Sequence, residues 1–220
     1  MPNALIVDID GTLVDSNYQH VIAWQRAFER HGHRAEAWIV HRYVGKGGDK
    51  MVASVAGDDA ETSHGDSIRE TEAEEFRALI GEVRPFEGAS EFVGSMKSKG
   101  FTVVLASSAK GEEVDHYLDL LDLREAVDGF TTSADVDATK PEPNLIEAAL
   151  EKAGTRDALM IGDSIWDVEA ARRSDLESLA VMTGGFSKGE LLAAGALDVQ
   201  PSLADLAPHV GSSGPVVGAT

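Results

Sequence analysis

The stretch Ala4-Leu5-Ile6-Val7-Asp8-Ile9-Asp10-Gly11-Thr12 governs how the rest of the chain is read. A short unbroken apolar run is the pattern of a strand buried on both faces. This one ends on two aspartates separated by a single residue. Positions two apart in a strand face the same side, so Asp8 and Asp10 are expected together at the strand's C-terminal end. Gly11 permits a sharp turn directly after them. Taken alone, Asp-x-Asp-Gly reads equally well as a solvated acidic turn.

Outward from this stretch, comparable apolar runs recur. Phe101-Thr102-Val103-Val104-Leu105-Ala106 follows Gly100 and leads into Ser107 and Ser108. Ala158-Leu159-Met160-Ile161 leads into Gly162-Asp163, and Ser178-Leu179-Ala180-Val181-Met182 leads toward Gly184-Gly185. Gly129-Phe130-Thr131 is a weaker member of the set. Between them lie segments of helical periodicity: Glu87 to Lys99 with Phe92, Val93 and Met96; Glu112 to Leu121 with Val114, Tyr117, Leu118 and Leu121; Pro143 to Ala153; and Val168 to Arg173. Strands alternating with helices predict an α/β fold: a Rossmann-like parallel sheet flanked by helices, with right-handed crossovers. Such sheets bind ligands beyond the C-terminal ends of their strands. Asp8, Asp10, Ser107, Ser108 and Asp163 all fall on that edge.

The first strand breaks the alternation, because no second strand follows it until Phe101. Tyr18 to His31 is amphipathic, with Val21, Ile22, Trp24, Ala27 and Phe28. Val40 to Ala56 and Asp59 to Ile80 continue the helical pattern. The expected organisation is a core of residues 1–15 and 83–220 with an inserted α-helical cap over residues 16–82. Leu79 to Pro85 is the expected return hinge. The small-residue tail Gly211-Ser212-Ser213-Gly214-Pro215 is expected to be mobile.

Composition narrows the function. A chain of 220 residues with 43% apolar content can bury a full core, and with no cysteine it has neither disulfides nor thiolate metal sites. The formal net charge of -19 disfavours nucleic acid and anionic membrane as partners. The N-terminus lacks the basic start and apolar stretch of a signal peptide, and no apolar run would span a bilayer, so a cytoplasmic location is expected. An anionic substrate would be repelled at long range. Turning one over requires local positive charge, from a metal ion or a placed lysine.

Read together, four segments resemble the haloacid dehalogenase superfamily of phosphohydrolases. Asp8-Ile9-Asp10-Gly11-Thr12-Leu13-Val14-Asp15-Ser16 looks like its first motif and Val103 to Ser108 like its second. Lys140-Pro141 with Pro143 looks like the third, and Gly162-Asp163-Ser164-Ile165-Trp166-Asp167 like the fourth. Order and spacing agree from residue 4 to about 185, and the helical insertion resembles the family's cap. The resemblance implies that Asp8 attacks phosphorus and forms an acyl phosphate. Asp10 then protonates the leaving alcohol and activates water. An acid working near neutral pH calls for a raised pKa, which a closed cap could supply by desolvation. The resemblance also implies Mg²⁺, held by Asp8, the Asp10 carbonyl and Asp163. Gly11, Thr12, Ser107, Ser108 and Lys140 are the implied phosphate-binding residues. Asp167 is expected to hold a metal-bound water or orient Lys140, though a first-turn carboxylate favouring the helix dipole reads as well.

Within the superfamily, Asp10 argues against carbon–halogen cleavage, which uses a single aspartate. Asp15, His20 and Trp24 resemble the start of the β-phosphoglucomutase cap, but Val44-Gly45-Lys46-Gly47-Gly48-Asp49-Lys50 carries no arginine to grip a second phosphate. That stretch instead resembles the cap of phosphoglycolate phosphatase-like enzymes. The expected activity is hydrolysis of a small phosphorylated metabolite, phosphoglycolate or a sugar phosphate, with His20, Trp24, Lys46 and Gly47 as cap candidates for specificity. A phosphomutase and a non-catalytic binding protein on the same fold are the alternatives.

Overall fold

The computed structural model describes residues 2–135 and 140–211. The expectation for the tail therefore lies, from residue 212 onward, outside the described residues. Strand β1 (Ala4–Val7) is followed by β2 (Val14–Asp15) and four helices: α1 (Asn17–Arg30), α2 (Ala37–Tyr43), α3 (Gly48–Ala56) and α4 (Asp58–Leu79). The chain returns through β3 (Arg84–Pro85), and then alternates: α5 (Ala89–Ser98), β4 (Thr102–Ala106), α6 (Gly111–Leu121), β5 (Gly129–Thr131), α7 (Asn144–Ala153), β6 (Ala158–Gly162), α8 (Ile165–Arg173), β7 (Glu177–Val181), α9 (Lys188–Ala194), β8 (Asp198–Gln200) and α10 (Leu203–Leu206).

The main sheet has six strands in the order β5-β4-β1-β6-β7-β8, all pairings parallel. β1 lies between β4 and β6, with Val7 opposite Leu105 on one side and Ile161 on the other. That register brings the residues following β1, β4 and β6 to a common edge. Strand periodicity divides the sheet's two faces. Leu5, Val7, Val103, Leu105, Leu159 and Ile161 pack with α5, α6 and α10, whereas Ile6, Val104 and Met160 pack with α7 and α8.

The insertion has a core of its own, in which Trp24 and Phe28 of α1 meet Val40, Met51, Val52 and Ile68 from the other three helices. The stretch read from the sequence as one helical segment, Val40 to Ala56, is two helices. The chain breaks at Gly45 (φ 88°) and Gly47 (φ 90°), left-handed positions that suit glycine and interrupt an α-helix. The insertion leaves and rejoins the core through antiparallel β2 and β3, with Asp15 opposite Arg84. Among the described residues no helix is long and apolar enough to cross a membrane.

Candidate active site

Asp8 follows β1 directly, its N–H bonded to the Ile161 carbonyl at 2.9 Å. The chain then turns, with the Ile9 carbonyl accepting from Leu13 N–H at 2.8 Å and Gly11 at φ 80°. Gly11 is required here twice over, because a Cβ would also fall 2.4 Å from Asp163 Oδ2 and from Asn17 Nδ2. Beyond the strand end, Asp8 and Asp10 both line one cavity but meet different partners.

Asp8 belongs to a buried ionic cluster. Lys140, 2% exposed, is ion-paired with Asp8 and lies 2.6 Å from Asp167 Oδ1. Asp167 Oδ2 accepts from the Ser164 N–H at 3.0 Å and hydroxyl at 2.6 Å, which closes the N-terminus of α8 as a capping box. Asp167 thus contacts Lys140 and caps the helix. Asp163 accepts from Thr12 Oγ1 at 3.0 Å and Asn17 Nδ2 at 3.1 Å. The backbone closes tightly around it: a Cβ on Gly184 would fall 1.6 Å from Asp163 Oδ2.

Asp10 faces the insertion. Ser16 Oγ donates to its Oδ1 at 2.6 Å, and His20 Nε2 lies 3.5 Å from the same oxygen. The opposite nitrogen of His20, Nδ1, is 3.1 Å from Glu72 Oε1, and the imidazole stacks on Phe76 with centroids 3.7 Å apart. His20 therefore bridges the core aspartate to α4.

The electrostatics follow these contacts. Burial pushes the Asp8 carboxyl well above the usual carboxylate range; Lys140 opposes this, and Asp167, Asp163 and Asp10 add to it. Burial, reinforced by Asp167, pushes Asp163 up to about 7. Burial acts against the charge on Lys140, but the Asp167 and Asp8 carboxylates overcome it and hold the ammonium firmly protonated. Asp10 corrects the sequence expectation. Burial pushes it up, yet the combined bonds and charge of His20, with Ser16 and Tyr117, outweigh burial and hold it below its ordinary value. His20 is raised correspondingly to about 10, against burial, by Asp10 and Glu72. The proton of this pair resides on the imidazole.

The cavity has a volume of about 520 Å³. Asp8, Asp10, Lys140 and Ser108 form its core side; His20, Trp24, Gly47 and Asp49 are among its residues from the insertion. Ser107 and Thr12 lie beneath rather than on this surface. Ser107 is 1% exposed, and its Oγ accepts the Ala109 N–H at 3.0 Å. Lys46 lies over the rings of Tyr43 and Trp166 and donates to Ser54 Oγ at 2.9 Å. Of the cap candidates, His20, Trp24 and Gly47 line the cavity and Lys46 does not. The structure adds Arg69, Glu72 and Glu113 to the lining and Asn17, Tyr117 and Gly184 to the surroundings.

A divalent cation suits this donor set. Asp8, Asp163 and Asp167, all buried, each offer an oxygen within 4.8 Å of the others. Three close carboxylates against one lysine leave uncompensated negative charge, and all-oxygen donors match a hard cation such as Mg²⁺.

A family model described as haloacid dehalogenase-like hydrolase matches residues 2–175. A phosphoglycolate phosphatase of Aquifex aeolicus is 26% identical over 190 residues, covering 82% of this chain and 84% of that protein. A pyrophosphatase PpaX of Halalkalibacterium halodurans is 23% identical over 193 residues, covering 81% and 83%. The crystal structure of a hydrolase from Pseudomonas syringae superposes with a TM-score of 0.87 at 32% identity, over 94% of this chain and 97% of that one.

Proposed function

Since the chain belongs to the haloacid dehalogenase-like hydrolases, we propose that it is a Mg²⁺-dependent phosphatase that passes the phosphoryl group of a small phosphorylated metabolite to Asp8 and then to water. The observation that carries this reading is geometric: Asp8 and Asp10 line one cavity, and Asp8 is held by buried Lys140 and grouped with Asp163 and Asp167 closely enough to share a cation.

Asp8 is the nucleophile. Lys140 holds its carboxylate in place and offsets charge on the incoming phosphoryl oxygens. As the Asp8 oxygen bonds to phosphorus, the bond to the leaving oxygen breaks, and that oxygen needs a proton. Asp10 is placed to give it, drawing on the proton that it shares with His20. Asp10, ionised again, then takes a proton from water, which attacks the acyl phosphate and releases phosphate and free Asp8. Mg²⁺ held by Asp8, Asp163 and the Asp10 carbonyl would supply charge neutralisation at the phosphate. Ser108, on the cavity surface, is the nearer candidate for a phosphate contact, with Ser107 holding the loop behind it.

Residues 16–82 act in this reading as a cap that encloses the leaving group. The support is their separate hydrophobic cluster and the β2–β3 pair at their two ends. Release of p-nitrophenol from p-nitrophenyl phosphate tests the activity. It should require Mg²⁺, stop in chelator, and fall to background in Asp8→Asn. Equal rates for wild type and Asp8→Asn would overturn the assignment.

A further inference from the structure

We infer that His41, on the inserted helix α2, is a positioning residue for the cation site. By holding the Gly184 carbonyl it fixes the wall behind Asp163, so that docking of α2 and binding of Mg²⁺ favour one another. This deepens the phosphatase reading and rests on its assignment of Asp163 as a Mg²⁺ ligand.

On one side the Asp163 carboxylate is enclosed by backbone. Gly184, itself buried, stands so close that a Cβ there would meet the carboxylate. It ends the short 3₁₀ turn Met182–Gly184 that follows β7. A single turn of this kind has few bonds of its own, so its position depends on what holds it from outside. Thr183 Oγ1 ties it to the Gly11 carbonyl at 2.5 Å, and His41 Nε2 lies 2.9 Å from the Gly184 carbonyl. A carbonyl only accepts, so Nε2 carries the hydrogen. The other donor to that carbonyl, Asn17 Nδ2, lies at 3.4 Å and is shared with Asp163 Oδ2 at 3.1 Å. Without His41 the Gly184 carbonyl keeps only this long, shared bond, and Asn17 can shorten it only by giving up its hold on Asp163.

The core is shaped to receive this imidazole. Gly185 is left-handed at φ 87°, and a Cβ there would fall 2.8 Å from His41 Cε1 and Nε2. The ring stacks on Tyr18 with centroids 5.2 Å apart and on Phe186 with centroids 6.1 Å apart. The next residue fastens α2 to the same side: the Arg42 guanidinium lies 4.4 Å over the Phe186 ring and 2.7 Å from Glu190, and its carbonyl accepts from Trp166 Nε1 at 3.2 Å. Thus α2 is seated on the segments that follow β6 and β7, the strands that lead into Asp163 and Gly184. His41 does not line the cavity, so it acts through the turn and not on the substrate. Because one carbonyl is braced by the insertion and backs a cation ligand, docking and cation binding are linked, and the linkage is reciprocal. If undocking α2 weakens Mg²⁺ binding by some factor, saturating Mg²⁺ suppresses undocking by the same factor.

The test reads Mg²⁺ binding without substrate. Calorimetry titrates Mg²⁺ into wild type, His41→Phe and His41→Gln. Phenylalanine keeps an aromatic ring for the stack and removes the donor, whereas glutamine restores an N–H near the Nε2 position. The loss of one hydrogen bond should weaken Mg²⁺ binding by at least about threefold in His41→Phe, with His41→Gln staying within about twofold of wild type. A ring that served only packing would give the opposite ranking. Hydrogen exchange of wild type reads the reciprocal effect: the amides of α2 should slow by about threefold or more at saturating Mg²⁺. This measurement needs no variant, so it decides the matter even where a substitution prevents folding. A smaller loss in His41→Phe, a glutamine variant outside its range, α2 exchange that Mg²⁺ leaves unchanged, or a wild type without saturable Mg²⁺ binding overturns the inference. Failure of the phosphatase reading shows separately, as wild-type p-nitrophenyl phosphate hydrolysis indistinguishable from Asp8→Asn.

Discussion

Lys140→Met tests the buried cluster most directly. The ammonium is 2% exposed and compensates Asp8 and Asp167, which are 7% and 2% exposed. Methionine fills much of the same volume, so the substitution removes charge with little cavity. What remains is two buried carboxylates, with Asp163 close by and no cation between them. Removing one partner of a buried ion pair costs about 3–5 kcal/mol, because the remaining charge stays desolvated. In a domain of this size each kcal/mol lowers the melting temperature by about 2–4 °C, so a fall of about 6–20 °C is expected at pH 8 in chelator. The sign of the pH dependence follows from the carboxyls. Asp8 and Asp163 already bind protons more tightly folded than unfolded. Losing Lys140 raises the folded values further. Stability of the variant therefore falls as pH rises from the unfolded carboxyl range, near 4, through the folded pKa values. The deficit relative to wild type should be smaller at pH 5 than at pH 8. Lys140 itself, raised above its unfolded value, keeps its charge and its stabilisation in wild type across this whole window. Thermal melts of both proteins at the two pH values measure it. A Lys140→Met protein that melts with wild type at pH 8, or whose deficit is larger at pH 5, would refute the view that Lys140 compensates buried charge.

Two further perturbations address the neighbouring parts. Gly184→Ala would place a Cβ 1.6 Å from Asp163 Oδ2, so that carboxylate must move; Mg²⁺-dependent activity should fall by about tenfold or more, with an unchanged circular dichroism spectrum. Glu72→Gln removes one of the two carboxylates that raise His20 to about 10. Protonated His20 contributes stability that is complete below its unfolded pKa near 6.5 and is lost as pH rises through about 10. The variant should lose that stability at lower pH, and an NMR titration of the His20 ring should midpoint below the wild-type value.

The parts of the fold legible in the sequence are those where one physical cause dominates. β1, β4, β6 and β7 are covered by helices on both faces, so their apolar runs are nearly continuous and cannot be mistaken for surface. β8, at the sheet edge, buries only Val199 of its three residues and leaves no such run. The break between α2 and α3 hid for a different reason: apolar residues continue at helical spacing on either side of it, and only the paired glycines signalled it. Asp8, Lys140 and Asp163 were legible because strand ends and motif order single them out. Glu72 and Arg69 were not, because α4 carries many charged residues and the sequence does not show which of them turn inward.

Asp10 shows where reading from sequence gives the wrong sign. Burial alone does push its carboxyl upward, as desolvation requires. What reverses the result is His20, ten residues on, whose own charge is sustained by Glu72, more than fifty residues further along the chain. Neither contact has a spacing that marks it in the sequence: the turn after β1 brings Asp10 to His20 of α1, and the pairing of α1 with α4 brings His20 to Glu72. In the mechanism proposed above, the proton needed at the leaving oxygen would come from the imidazole, between the core and the inserted helices. Its delivery depends on how those helices lie over Asp10. In that mechanism, a shift of the inserted helices would move Glu72 and His20 together relative to Asp10, so that enclosing the leaving group and placing its proton donor would be coupled. Such a coupling would let a carboxyl with a lowered pKa serve as the proposed acid, with Asp10 relaying a proton from His20 one contact away.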